Sequence, residues 1–157
     1  VGKTVLLKNI IEQDIKNKTS EILKQANHSF LAKDAFMHII DDGEASCLAL
    51  SLMCQKKGVE NFIVVDERTT RMLGEKPQNL RKLFEEKFHT QVSLKSDFSF
   101  LKDVRFLRSS ELVYVAYKKN LVKLKNGNVL DALLYATKFK GSAISHQEIE
   151  EMKRLKN

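Results

Sequence analysis

The chain has 157 residues with 43% hydrophobic and 30% charged side chains, one proline and six glycines. That composition excludes a disordered chain or a long flexible linker and fits one globular domain with its own core. A formal net charge of +7 favours a polyanionic partner, and no apolar run approaches the length needed to span a bilayer, so no membrane partner is expected.

Val1–Ala26 reads as helix, because Val5, Leu6, Ile10, Ile11, Ile15, Ile22 and Leu23 recur at helical spacing between charged residues. A short strand is expected within Phe36–Ile40. Asp41-Asp42-Gly43-Glu44 is a turn and helix start with Asp42 as candidate N-cap. The helix Glu44–Lys57 follows, closed by Lys56, Lys57 and Gly58. Phe62-Ile63-Val64-Val65 is an unbroken apolar run, which predicts a strand buried on both faces of a parallel sheet and ending at Asp66. Next come a helical turn at Arg68–Leu73, a helix Pro77–Phe88, a strand within Thr90–Leu94, a loop Ser96–Lys102 and a strand Val104–Leu107. Ser109-Ser110-Glu111 is expected to cap the helix Glu111–Asn120. A turn at Asn126-Gly127 precedes the helix Val129–Phe139, and Ser145 with Glu148 forms a capping box for a last helix reaching Lys156.

Cys47 and Cys54 stand two helical turns apart, too far for a disulfide, and are expected as buried thiols of a cytoplasmic protein. The four histidines are scattered, with no metal-ligand spacing.

Two constellations carry candidate chemistry. Asp41, Asp42 and Glu44 open one helix, and Asp66 and Glu67 end the following strand. Helix and strand in an αβ unit run antiparallel, so both acidic groups belong to one edge of the sheet, where α/β folds place their ligands. Gathered carboxylates call for a cation such as Mg²⁺ or Mn²⁺, and such an ion generates hydroxide and stabilises phosphoryl charge. The same residues also suit helix capping and the helix dipole, and both readings stand. The second constellation is Val1-Gly2-Lys3-Thr4, the end of a phosphate-binding loop, with Phe62–Glu67 as its metal-binding strand; the loop's first glycine is not in the chain.

Several stretches resemble archaeal PIN-domain proteins. These are Gly43-Glu44-Ala45 opening an Ala/Leu-rich helix, Val64-Val65-Asp66-Glu67-Arg68 with Arg71 following, Phe106–Leu121, and Ala143–Met152. The resemblance covers roughly Met37 to the C-terminus. It implies an α/β fold with a Rossmann-like parallel sheet and helices on both faces, the family's first strand being absent. It implies a Mg²⁺- or Mn²⁺-dependent ribonuclease cleaving single-stranded RNA by metal-activated water, with Glu44, Asp66 and Glu67 as catalytic metal ligands and Asp42 beside them. Arg68, Arg71, Ser109, Lys118 and Lys119 are the candidate RNA contacts, and Tyr114 and Tyr117 add rings for base stacking. A homodimer is a further implication. The family's first-strand Asp has no counterpart here, so a relative that binds RNA without cutting it is also expected. The whole chain, 1–157, is taken as one PIN-like domain, with an insertion around 77–103. The alternatives are a fragment of a P-loop nucleotide hydrolase and a non-catalytic interaction domain.

Overall fold

The computed structural model describes residues 12–124 and 128–155. The N-terminal G-K-T motif, the first part of the expected Val1–Ala26 helix and the Asn126-Gly127 turn lie outside them. The chain is mixed α/β and mainly helical, and it divides into two compact units. Among the described residues, unit 1 is 12–63 and 69–105, and unit 2 is 64–68, 106–124 and 128–155.

In unit 1 the Ile22 side of α1 (Glu12–Asn27) is buried, with Thr19 and Ala26. The helix packs along α2 (Asp42–Lys56), which buries Ala45, Leu48, Ala49 and Ser51. The chain between them is set by Asn27. Its Oδ1 accepts from the Ile39 and Ile40 amides at 2.6 and 3.1 Å, and its Nδ2 donates to the Ile40 carbonyl at 3.0 Å. One amide side chain thereby satisfies backbone groups that the turn leaves unpaired. A three-stranded antiparallel sheet runs in the order β2-β1-β4, from β1 (Phe30–Ala32), β2 (Ala35–Phe36) and β4 (Val92–Leu94). Lys33 and Asp34 turn β1 into β2 with φ of 48° and 65°, the left-handed geometry of a tight hairpin. The expected strand at Phe36–Ile40 therefore ends early: the hairpin uses Ala35 and Phe36, the Met37 amide donates to the Phe30 carbonyl at 2.8 Å, and Asn27 takes the Ile39 and Ile40 amides.

Residues 77–103 supply α4 (Pro77–Phe88), β4 and a short 3₁₀ turn at Ser99–Leu101. Leu80, Phe84, Val92, Phe98 and Leu101 from this stretch are buried. Phe30 meets Phe84 edge-on at 5.5 Å and stacks with Phe98 at 6.2 Å. These rings centre the core of unit 1.

β3 (Ile63–Val64) and β5 (Phe106–Leu107) make a second, two-stranded sheet. The Ile63 amide donates to the Arg105 carbonyl at 2.8 Å and the Val65 amide to the Leu107 carbonyl at 2.9 Å. Donors and acceptors both advance by two, so the strands run parallel. The run Phe62–Val65 is not buried on both faces: Ile63 is buried, whereas Phe62 and Val64 are 52% and 51% exposed. A strand in a two-stranded sheet has one face to cover, so its side chains alternate in burial.

α3 (Arg68–Glu75) follows β3. Unit 2 continues with α5 (Ser109–Lys118), α6 (Val129–Phe139) and α7 (His146–Arg154). Leu130, Leu134, Ile144 and Ile149 form its core, with Tyr114, Tyr117, Tyr135 and Met152 packed against them. Ser145 caps α7 as expected: its Oγ accepts from the Glu148 amide at 3.1 Å and Glu148 accepts from the Ser145 amide at 2.8 Å. Cys47 is exposed and Cys54 half-buried, both free thiols, so neither is the buried core residue expected. The buried stripe of α2 runs through Ala45, Leu48 and Ala49 instead.

Candidate functional site

Asp66 lies two residues beyond β3, at the strand end where the sequence places a metal ligand. Its Oδ1 accepts from the Ser109 amide at 3.0 Å and from the Ser142 hydroxyl at 2.8 Å. Ser109 is the first residue of α5, so the carboxylate answers a helix N-terminus whose first amides have no partner within the helix. Ser142 follows α6 by three residues and is buried. Partial burial pushes the Asp66 pKa up, but the hydroxyl and amide of Ser109, the Ser142 hydroxyl and the Arg108 charge outweigh it. The net direction is below the ordinary value.

Arg108 sits beside this carboxylate as the N-cap residue of α5. Its guanidinium reaches Glu148 at 2.6 Å and Glu111 at 3.0 Å. The Arg108 amide donates to the second oxygen of Glu111 at 2.8 Å. The expected Ser109-Ser110-Glu111 cap is thus shifted by one. Arg108 holds the N-cap position without a side-chain cap bond, Glu111 is the acid that reaches back to its amide, and Ser110 is buried. Burial raises the Glu148 pKa, and hydrogen bonds from Arg108 and from the Ser145 amide and hydroxyl lower it more, to about 2.

Glu44 belongs to unit 1. It stands in the first turn of α2, where its Oε2 accepts from the Asp41 amide at 3.2 Å. Asp41, not Asp42, is the N-cap residue, and its own carboxylate pairs with His38 at 2.7 Å. Asp42 is exposed in the first turn of the helix, as Glu67 is beyond β3. Among the described residues no group of three or more His, Cys, Asp or Glu side chains could hold a metal ion. Glu44 Oε2 is turned onto its own helix start, and Asp66 Oδ1 onto Ser109 and Ser142.

The other candidates divide in the same way. Arg71 faces Glu75 at 4.0 Å within α3, and Arg68 is exposed. Lys118 donates to the Leu155 carbonyl at 3.2 Å, and the Tyr114 hydroxyl donates to the same oxygen at 2.8 Å. Tyr114 and Tyr117 lean on the unit 2 core and do not form an open stacking tract. Lys119 is exposed at the end of α5. Asp66 and Ser109 are the two site residues brought together. Arg108 and Ser142, their neighbours, carry no motif signal; only their place after an apolar strand and after a helix could have marked them.

Comparisons with protein-family models, curated proteins and solved structures find no match to this chain.

Proposed function

We propose that the chain is a PIN-like relative that binds single-stranded RNA and does not cleave it. In this reading β3 and β5 are part of the family's parallel sheet, and the acids that would hold a metal have become structural. The observation that carries it is the commitment of Asp66 Oδ1 to Ser109 and Ser142. A carboxylate oxygen with two good donors has little reason to exchange them for a hydrated divalent ion. RNA is favoured as the partner because the described residues of unit 2 have nine Lys and Arg against seven Asp and Glu, in a chain of formal net charge +7. Lysine and arginine gain affinity for phosphates by releasing counterions.

The test is anisotropy of a labelled single-stranded RNA, with and without Mn²⁺, followed by a gel of the same RNA. Binding in the presence of a chelator, weakening steadily with salt, and intact RNA are expected. Mn²⁺-dependent cleavage that Asp66→Asn abolishes would contradict the proposal.

A further inference from the structure

The proposal that the chain binds RNA leaves open where the bases go, and the end of α6 supplies a surface. Phe139 is 81% exposed at the last position of that helix. One turn earlier is Tyr135, whose ring lies 6.4 Å from that of Phe139 at an interplanar angle of 30°. Tyr135 is not loose. It packs on the core of Leu130, Leu134, Ile144 and Ile149. Its hydroxyl is 3.2 Å from Nδ1 of His146, and the two rings are 5.6 Å apart. Three rings are thus arrayed at one end of unit 2, with the middle one fixed from below.

The charges around them are uneven. Lys138 and Lys140 flank Phe139, and neither forms a salt bridge among the described residues. Of the acids on α6 and α7, Asp131 and Glu150 pair with Lys153 at 2.7 and 2.8 Å, Glu148 pairs with Arg108, and Glu151 accepts from Gln147 at 3.0 Å. An exposed aromatic flanked by uncompensated lysines suits a polyanion with flat apolar faces. Every nucleobase has such a face, and stacking on an aromatic side chain tolerates any sequence. A partner protein would be expected to meet a broader apolar patch than one phenylalanine between two lysines.

The platform is also tied to Asp66. The chain leaves α6 through Gly141, whose φ of 110° suits glycine, and Ser142 then donates to Asp66. The segment between Phe139 and His146 is pinned at its middle by that bond.

We infer that Tyr135, Phe139 and His146 form a stacking platform for the bases of a single-stranded nucleic acid, with Lys138 and Lys140 facing its phosphates. This rests on the RNA-binding proposal above. The test uses a short labelled oligouridylate and the full chain. Phe139→Ala, at an exposed position, should weaken binding roughly tenfold. Phe139→Trp should bind as well as the unsubstituted chain, and its indole, the sole one in a chain without Trp, should be quenched on binding. Lys138→Gln with Lys140→Gln should lower the salt dependence of binding by about one to two phosphate contacts. If the unsubstituted chain binds but Phe139→Ala binds equally and the indole is not quenched, the platform is refuted and the RNA proposal survives. If the unsubstituted chain does not bind at low salt, both fall. If Phe139→Ala instead changes the sedimentation of the chain with RNA affinity intact, the face is a protein contact and the platform is again refuted.

Discussion

Each of the two units is stabilised internally by different physics. Unit 1 has a large apolar centre in which Phe30, Phe84 and Phe98 meet, and its polar work is mostly local, as at Asn27. Unit 2 is smaller, with four buried aliphatic residues at its centre and a set of charged clamps around them. A short chain segment buries less apolar surface per residue, so polar ties count for more in its stability. The carboxylates of unit 2 therefore have structural employment before any chemistry is asked of them.

The contrast can be broken by substitution, and the largest effect belongs to unit 1. Phe30→Ala removes a fully buried ring that contacts two others, and it should cost about 3–5 kcal/mol. Hydrogen exchange should show the loss in β1 and β4, which pair directly. Asp66→Ala comes next. It leaves the Ser109 amide and the buried Ser142 hydroxyl without their acceptor, at about 1–3 kcal/mol by chemical denaturation. Exchange should quicken at the start of α5, which would sharpen the division into units. Arg108→Met is smaller, at about 1–2 kcal/mol, because Glu111 and Glu148 are about a third or more exposed and rehydrate when released.

The smallest effect is one of pH. Glu148 has its pKa lowered from 4.5 to about 2, so the folded state binds its proton less readily than the unfolded state does. Its contribution is fully present above about pH 4.5 and is lost as pH falls toward 2. Asp66 shifts in the same direction. Acid titration followed by tyrosine fluorescence, from Tyr114, Tyr117 and Tyr135 in unit 2, should show a loss of structure in that window. Arg108→Met should flatten it.

Much of the helix content was legible in the sequence. Pro77–Phe88 and Val129–Phe139 form helices over the expected residues, and Ser145 with Glu148 is the expected capping box. These rest on local signals: a proline at the first turn, helical apolar spacing, and a serine three residues before a glutamate. The strands were less legible. Phe62–Val65 reads as a doubly buried strand by composition, but burial depends on what covers each face, and that is not local information. The hairpin at Lys33 and Asp34 has neither glycine nor asparagine to announce its left-handed turn. The acids show the limit most clearly. Spacing offered two readings of Glu44 and Asp66, metal ligands or helix-end residues, and in the structure Glu44 accepts from the Asp41 amide and Asp66 from the Ser109 amide. Distinguishing a capping task from a metal-holding one requires knowing that Ser142, 76 positions away, donates to Asp66.

In the proposed function Asp66 keeps its two protein donors and takes no cation. The most direct measurement is the side-chain carboxyl ¹³C resonance of Asp66, followed by NMR through a pH titration with and without Mg²⁺. A midpoint below the ordinary aspartate value that Mg²⁺ leaves unmoved is expected. A Mg²⁺-dependent shift of the Asp66 resonance would show that this carboxylate holds a metal and would contradict the proposal.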